Sequence, residues 1–324
     1  MAIETTVVGS YPKPPDEGQP FVVRKTLHAL ERGDATVDDV RRAQDELARE
    51  AIAEQADAGI SLLTDGQVRW DDIVTPFARN MAGFEIGGLL RFFDNNVYYR
   101  RPICKGPVEW RGPTSVADFH FASSATDRRV KAVLPGPVTF ARLSLDEHYN
   151  NHETFVLEIA KVLAQEAFEL EAAGAEVIQI DEPGLLGAPE DLELATRALG
   201  VVLTDLDRAE TIVATYFGDA KRLGPDFFEL PVDGFGLDFV SGPENLELIE
   251  SLPVDKKLQA GVVDSRNTKL ESLDDLVQVI DRLAGAVGAE RLSVSPSAGL
   301  EFLPREKARA KLHRLVEAAN KAGA

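Results

Sequence analysis

Short apolar stretches alternate with longer amphipathic segments along most of the chain. Eight stretches of four to six residues have the mostly apolar character of buried parallel strands. The segments between them repeat apolar residues at three- and four-residue spacing, which is typical of helices with one buried face. The predicted strands are Thr5–Val8, Ile60–Thr64, Lys131–Leu134, Val177–Ile180, Thr211–Thr215, Gly234–Phe239, Leu258–Val263 and Arg291–Ser295.

The two longest helical patterns have recognisable ends. Thr36 is the predicted N-cap of a helix over 37–58, and Gly59 closes it. A second helix keeps one apolar face from Phe155 to Leu170 and ends at Gly174. Shorter helical patterns cover about 189–200, 243–251, 272–286 and 305–322.

Eight strand–helix units predict an α/β fold, a (β/α)8 TIM barrel that occupies residues 1–324 as a single domain. A doubly wound open sheet is the alternative, but "VVGSYPKPP" after the first strand lacks the G-x-G-x-x-G turn typical of many such sheets. Residues 84–130 interrupt the rhythm with many aromatic, Gly and Pro residues. We expect a long excursion containing a hairpin there, and such excursions usually carry function.

The amino-acid composition excludes some kinds of binding partner. The 324 residues carry a net charge of −19, from 54 acidic and 35 basic side chains. This charge argues against a basic nucleic-acid-binding face and against binding to an anionic membrane surface. Cys104 is the single cysteine, which excludes an internal disulfide. The N-terminal sequence lacks the pattern of a signal peptide and no apolar run reaches 18 residues, so we expect a cytoplasmic protein.

Candidate chemistry follows the predicted strands, because active sites of such barrels lie at the carboxyl ends of the strands. The stretch "EVIQIDEPGLLG" ends a buried strand in two adjacent carboxylates, whose mutual repulsion could separate their pKa values for proton transfer. Capping of the next helix or acceptance of backbone N–H bonds is the plain alternative for Asp65 and Asp181, and a surface or ion-paired position is the alternative for Arg69 and Arg266. Together the polar side chains predict a site for a zwitterionic or polar small molecule. The candidates are Gly9, Ser10, Asp65, Gln67, Arg69, Asp181, Glu182, Tyr216, Asp238, Asp264, Arg266 and Ser297.

Four segments resemble a known family. "TTVVGSYPKP", "LPGPVTF", "EVIQIDEPGL" and "SVSPSAGL" are similar, in this order, to segments of the cobalamin-independent methionine synthases, and the resemblance extends over nearly the whole chain. It implies a (β/α)8 barrel and methyl transfer from methyl-tetrahydrofolate to homocysteine. Members of the family contain two related barrels, and the C-terminal barrel holds a zinc ion through one His, two Cys and a Glu.

The resemblance places other residues at the zinc positions. Ala214, Tyr216 and Ala298 stand where the family has His and two Cys, and Asp238 falls near the Glu position. It therefore implies no metal and no other cofactor on this chain, with folate as a co-substrate. "TYFGDA" and "RFFDNNVYYRRP" are similar to the zinc-free N-terminal barrel, whereas "VVGSYPKP" is similar to the opening of the zinc barrel.

Individual roles also come from the resemblance. Asp181 matches the aspartate that contacts the homocysteine amino group, and Gln67 stands where a second amine-binding residue is a Glu. Gly9 and Ser10 match the turn that holds the amino-acid part of the substrate. The family's proton-shuttling His falls on Arg266 or its neighbour. We accordingly expect Asp181, Asp264 and Arg266 to be catalytic, and the remaining candidates to bind substrate.

Three functions stay open at this point. The favoured one is methyl transfer to homocysteine, with this chain as the zinc-free partner of a separate zinc barrel. A metal-free decarboxylase or lyase that uses Asp65, Asp181 and Arg266 is the second. A non-catalytic folate-binding barrel is the third, with the polyglutamate tail bound by a basic cluster in the excursion, namely Arg91, Arg100, Arg101 and Lys105.

Overall fold

The computed structural model describes residues 3–322, and twelve strands run through them. The eight predicted barrel strands are all present, most of them within two residues of their predicted ends. The strands are β1 (Glu4–Thr5), β2 (Leu62–Leu63), β3 (Met81–Arg91), β4 (Tyr98–Trp110), β5 (Arg129–Val130), β6 (Ala132–Pro135), β7 (Leu145–Asp146), β8 (Val177–Asp181), β9 (Glu210–Ala214), β10 (Gly234–Asp238), β11 (Lys257–Val263) and β12 (Leu292–Pro296).

Parallel pairing closes the strands into a barrel. Seven strands form one sheet in the order β1-β12-β11-β10-β9-β8-β6. The remaining gap is filled by β2, which pairs with β5 on one side and reaches β1 through a bridge between Thr6 and Leu62. The Lys131 N–H, between β5 and β6, donates to Leu63 O at 2.9 Å. This bond joins β2 to the segment that leads into β6. The predicted α/β barrel is confirmed.

Helices surround this barrel, and their ends follow from local sequence. Thr36 accepts a hydrogen bond from the Asp39 N–H while the Asp39 carboxylate accepts one from the Thr36 N–H, a reciprocal cap that starts α2. Gly59 and Gly174 follow the two longest barrel helices with φ of 90° and 96°, a conformation that glycine adopts without strain. The α-helices are α1 (Val22–Glu31), α2 (Val37–Asp57), α3 (Thr75–Asn80), α4 (Val116–Ser124), α5 (Pro137–Leu143), α6 (His152–Ala172), α7 (Leu192–Val202), α8 (Asn245–Leu248), α9 (Leu273–Val287) and α10 (Arg305–Ala322).

The predicted excursion contains a long antiparallel hairpin, β3 and β4, followed by α4. Its register runs from Met81 opposite Trp110 to Arg91 opposite Tyr98, so it starts three residues before the predicted excursion. Residues 92–97 form the turn and carry Phe92, which lies 6.4 Å from the Phe217 ring. The hairpin therefore brings an aromatic turn over the carboxyl ends of the barrel strands.

Apolar side chains fill the layer between strands and helices, whereas the inside of the barrel is partly polar. Lys131, Gln179 and Gln259 are each at most 3% exposed and meet within the barrel. Buried polar groups of this kind are stable only when their hydrogen bonds are made. Within residues 3–322, none of the helices is long and apolar enough to cross a bilayer.

Candidate active site

A small, narrow cavity lies at the carboxyl ends of the barrel strands. Its open space is about 10 Å³, which is room for roughly one water molecule. An amino-acid ligand therefore requires the surrounding side chains to move apart. The lining residues are Val8, Gly9, Ser10, Gln67, Ile73, Phe92, Asp181, Tyr216, Phe217, Gly299, Glu301 and Phe302.

Asp181 ends β8 and is the buried carboxylate of this cavity, with 2% exposure. Its Oδ1 accepts a hydrogen bond from the Gln179 amide at 2.7 Å, and its Oδ2 accepts one from the Tyr216 hydroxyl at 3.1 Å. Burial raises the pKa of Asp181 to about 7, against the opposing effects of the Gln179 bond, the Lys131 charge and the Tyr216 bond. A bound cation would favour the ionised form, so Asp181 is suited to receive an ammonium group.

Gln67 supplies a hydrogen-bond donor to the same cavity. Its side-chain Nε2 is buried and has no acceptor among the residues that the structure describes. The amide lies directly over Gly9, where a Cβ would come within 2.7 Å of Nε2. A buried donor without a partner is costly in a folded protein and marks a place where a ligand oxygen gains a hydrogen bond.

A second glycine leaves room for Ser10. A Cβ on Gly299 would lie 2.0 Å from the Ser10 hydroxyl oxygen, so any larger residue at 299 would displace that hydroxyl. The Ser10 backbone carbonyl in turn accepts a hydrogen bond from the Leu300 N–H at 2.8 Å. Contacts of Ser10 thus join the segments that follow β1 and β12.

Aromatic rings cover the cavity. The Phe217 ring lies within 6.5 Å of the rings of Phe92, Phe93 and Phe302. Phe93, Phe217 and Gln67 all adopt positive φ, at 49°, 74° and 50°, which is unusual for residues with a Cβ. Strained backbone of this kind clusters at functional sites, and here it accompanies the cavity.

Arg266 and Asp238, two predicted site residues, hold this aromatic cover. The Arg266 guanidinium lies 5.1 Å from the centre of the Phe217 ring and donates to Asn95 Oδ1 at 3.2 Å and Ser241 Oγ at 2.7 Å. Asp238 accepts from the Phe217 N–H at 3.1 Å and from the N–H groups of two loop residues, Val240 and Ser241. Both side chains therefore act on the cover, and the cavity lining does not include them.

Asp264 and Ser297 order the loops after the last two strands. Asp264 Oδ1 accepts a hydrogen bond from the Arg266 N–H at 2.9 Å. Ser297 Oγ lies 3.1 Å from the hydroxyl oxygen of Ser265. The structure places these two predicted residues beside the cover and outside the cavity lining.

Glu182 is fully engaged at the start of α5. Its carboxylate accepts from the N–H groups of Val138 and Thr139 at 2.9 and 2.8 Å, and from the Thr139 hydroxyl at 2.7 Å. It lies so close to Gly136 that a Cβ there would meet the carboxyl carbon at 2.0 Å. Burial raises the pKa of Glu182 to about 7 against these hydrogen bonds. The geometry is that of a carboxylate held by a helix N-terminus, so Glu182 supports the fold beside the cavity.

Asp65 and Arg69 lie in a separate cluster under α4. The Arg69 guanidinium contacts Asp45 at 2.6 Å and Asp118 at 3.1 Å, and lies 4.5 Å from the centre of the Phe121 ring. Asp65 lines a small cavity with Asp118, and burial with the Asp118 charge raises its pKa to about 7. The structure therefore does not bring these two predicted residues together with Asp181.

Sequence reasoning missed several residues at the cavity. Glu301 is half-buried in the lining, and burial raises its pKa against the effects of Lys13 and Ser10. Beneath the cavity lie Lys131 and Gln179, for which the apolar pattern predicts only a place within strands. A signal for them existed, because each is a polar residue inside an otherwise apolar strand, "VKAVLP" and "VIQID".

The residues at the family's zinc positions do not fit a zinc ion. Ala298 and Tyr216 pack together with Val8, and the Tyr216 hydroxyl is bonded to Asp181. Zinc prefers about four thiolate, imidazole or carboxylate ligands, and Ala214 and Ala298 offer none. In residues 3–322, no three His, Cys, Asp or Glu side chains are grouped so that they could hold a metal ion.

Known proteins resemble the chain over nearly its full length. The family profile described as "Cobalamin-independent synthase, Catalytic domain" matches residues 3–321. Methionine synthase of Saccharolobus solfataricus is 33% identical over 319 residues, which cover 97% of this chain and 93% of that protein. Methionine synthase of Sulfolobus acidocaldarius is 29% identical, covering 97% of this chain and 91% of that protein.

Two solved structures show the same fold. The B12-independent methionine synthase from Shewanella sp. W3-18-1, in complex with selenomethionine, has a TM-score of 0.84 at 24% identity and covers 98% of this chain and 97% of that one. A putative vitamin-B12-independent methionine synthase from Listeria monocytogenes has a TM-score of 0.78 at 19% identity, covering 97% of this chain and 96% of that one. The family profile and the 33% identical relative show that the chain belongs to the cobalamin-independent methionine synthase family, a family of methyltransferases.

Proposed function

We propose that the cavity at the barrel rim binds the amino-acid part of homocysteine and that the chain serves transfer of a methyl group to the homocysteine sulfur. One observation carries the proposal: the Asp181 carboxylate and the unpaired Gln67 amide donor line the same small cavity. An α-amino acid carries an ammonium and a carboxylate on one carbon. A carboxylate and an amide donor complement that pair of charges.

The surroundings of Asp181 support binding of an ammonium group. Gln179 and Tyr216 each use one of its oxygens as an acceptor, which fixes the carboxylate and leaves further lone pairs for a ligand. Charge-assisted hydrogen bonds are about twice as strong as neutral ones. The ligand ammonium is therefore expected to contribute a large share of the affinity.

The arginines argue against the lyase alternative. A substrate with several carboxylates needs unpaired cationic side chains in the pocket. Arg69 is paired with Asp45 and Asp118, and Arg266 is bonded to the residues that hold the cover. The amino-acid substrate therefore remains the better supported of the two.

We further propose that a methyl-tetrahydrofolate-type donor supplies the methyl group and that a separate zinc-containing barrel activates the sulfur. In the balanced reaction, the methyl group leaves the folate nitrogen for the sulfur, and the thiol proton ends on that nitrogen, which gives methionine and tetrahydrofolate. The separate zinc barrel is supported by the side chains of Ala214, Tyr216 and Ala298, which lack thiolate and imidazole groups. The folate donor is proposed from the family to which the chain belongs.

Two assays test the proposal in steps. The first is calorimetric titration of methionine and homocysteine into the wild-type chain and into D181N, where we expect loss of at least tenfold in affinity on substitution. The matched control is E158Q, because Glu158 pairs with Lys161 on the outer face of α6. Equal affinities of wild type and D181N for methionine and homocysteine would contradict an amino-acid site at Asp181.

The second assay measures methionine formation from homocysteine and methyl-tetrahydrofolate by the chain alone and mixed with a zinc-containing homologue. We expect activity to rise on mixing, together with a complex detectable by gel filtration. If mixing gives no activity and no complex, the partner role is contradicted. Stoichiometric zinc in the purified chain with homocysteine present would contradict the ligand argument directly.

A further inference from the structure

A chain of buried polar side chains runs from the cavity into the barrel interior. Lys131 is 1% exposed, and its Nζ donates to Gln179 Oε1 at 2.6 Å and to Gln259 Oε1 at 2.8 Å. Gln179 then reaches Asp181, which lines the cavity. Lys131 therefore acts on Asp181 through one intervening amide.

The lysine fixes the orientation of that amide. An ammonium can only donate hydrogen bonds, so Gln179 must direct its oxygen toward Lys131. Its Nε2 is then left to donate to Asp181 Oδ1 at 2.7 Å and to the Val8 carbonyl at 2.8 Å. The Gln259 amide also donates to Gln179 Oε1, at 3.2 Å, which reinforces the same orientation.

We propose that Lys131 is a positioning residue for the ligand's amino group: through Gln179 it holds Asp181 as an oriented carboxylate facing the cavity. The inference rests on the amino-acid site proposed above. Lys131 itself does not line the cavity at the rim, so it acts only through Gln179 and through its charge.

The charges around this chain are few. Lys131 faces the negative charges of Asp181 and, from β1, Glu4, while Gln259 on β11 is neutral. Asp181 faces Lys131 and the Tyr216 hydroxyl, with the Glu182 carboxyl next to it in sequence, and the Glu301 carboxyl lines the same cavity. Lys131 is therefore the one cation acting on Asp181 among the groups that face it in residues 3–322.

Removal of the Lys131 charge should cause a specific defect, namely weaker binding of an ammonium group at Asp181. Without Lys131, a carboxylate at 181 would be buried with only neutral donors beside it, and such a group takes up a proton. Protonated Asp181 becomes a donor and no longer attracts an ammonium. The pKa of Lys131, lowered to about 7 by burial, is consistent with a lysine that retains its proton mainly through Asp181.

The experiment compares methionine with 4-(methylthio)butanoate, the same molecule without its amino group. Calorimetric affinities for both ligands are measured in wild type, K131M and Q179M. We expect wild type to prefer methionine by at least tenfold and both variants to reduce that preference to within about threefold, with the affinity for the deaminated ligand nearly unchanged. A purely structural defect would instead weaken both ligands together.

The matched control is K311M. Lys311 is also 1% exposed and bonds a carboxylate, Glu271, at 2.6 Å, but its helix lies outside the barrel. K311M should lose stability and keep the wild-type preference for methionine. The preference surviving in both K131M and Q179M would overturn the inference while leaving the proposed function intact. Absence of the preference in wild type would count against the proposed function itself. Should K131M not fold, Q179M, which keeps both charged groups, decides alone.

Discussion

The Tyr216 hydroxyl donates to Oδ2 of Asp181 at 3.1 Å, and both side chains line the small cavity at the barrel rim. This bond joins the end of β8 to the residues after β9. Tyr216 therefore fixes one oxygen of the Asp181 carboxylate. The cavity is accordingly organised around Asp181.

Substituting Tyr216 with Phe should weaken ligand binding more than it weakens the fold. The lost hydrogen bond lowers the pKa of Asp181 in wild type, so its removal raises that pKa and disfavours the carboxylate near pH 7. We expect a several-fold loss of methionine affinity by calorimetry and a loss of about 1 kcal/mol in the free energy of unfolding.

Y149F is the control for that substitution. The Tyr149 hydroxyl accepts a hydrogen bond from the Val108 N–H at 2.9 Å, far from the cavity lining. It should show a similar loss of stability and unchanged methionine affinity. Methionine affinity that is the same in Y216F and Y149F would show that the Tyr216–Asp181 bond does not support the ligand site.

The buried carboxylates predict an unusual dependence of stability on pH. Burial raises the pKa of Asp65, Asp181 and Glu182 to about 7, well above the usual value of about 4 in unfolded chains. Between pH 4 and 7 the folded state thus binds more protons than the unfolded state. Their contribution is fully present below about pH 4 and is lost as pH rises toward 7, by up to about 1.4 kcal/mol per unit for each group.

D65N isolates one of these contributions. Asp65 lies outside the rim cavity, and its Oδ2 has no hydrogen-bond partner among the described residues. Urea unfolding at pH 4.5, 5.5 and 6.5 should give a shallower decline for D65N than for wild type, by up to about 1 kcal/mol per pH unit. Parallel declines in the two proteins would mean that Asp65 is ionised throughout this range.

A methyl group at residue 9 should displace the Gln67 amide and so weaken binding of an amino acid at the proposed site. The Cβ of G9A would lie 2.7 Å from Gln67 Nε2, so the amide must swing away from its place over residue 9. The far end of a flexible side chain gives way at small cost, and the fold should persist. We expect methionine affinity to fall at least tenfold with a small change in melting temperature. G200A is the control, because a Cβ there meets nothing within 4 Å.

The barrel itself was readable from the sequence because each strand–helix unit has its own periodicity and its own caps. Thr36 and Gly59 fixed the ends of α2, and the hairpin followed from the loss of helical period in 84–130. The start of the hairpin at Met81 was not readable, because "MAGFEIGGLL" lacks a clear alternation of apolar and polar residues.

The site was harder to read, because following a strand does not determine where a side chain points. Asp65 and Asp181 both follow apolar strands, yet Asp181 lines the rim cavity and Asp65 lies under α4 with Asp118. Asp65 differs from Asp181 because it lies beside Asp118, a residue of the excursion that is remote in sequence from both. Lys131 shows the converse, because it contacts Gln179 and Gln259, which lie on strands 48 and 128 residues away.

Loosening the aromatic cover should speed exchange of the ligand. Arg266 joins Asn95 of the hairpin turn to Ser241 and lies over the Phe217 ring, so R266A removes three contacts that hold the aromatic cover in place. Because the open space is about 10 Å³, entry of an amino acid requires this cover to move. We expect stopped-flow association and dissociation rates for methionine to rise several-fold, with faster amide hydrogen exchange in residues 92–97.

R69A is the matched control for R266A, since Arg69 also lies over an aromatic ring, Phe121, but pairs with Asp45 and Asp118 outside the cavity. Its loss leaves two partly buried carboxylates without their cation, so stability should fall while ligand exchange rates stay close to wild type. Slower or unchanged methionine exchange in R266A would show that the aromatic cover does not limit ligand entry. Faster exchange in both variants would point to general loosening of the barrel instead of release of the cover.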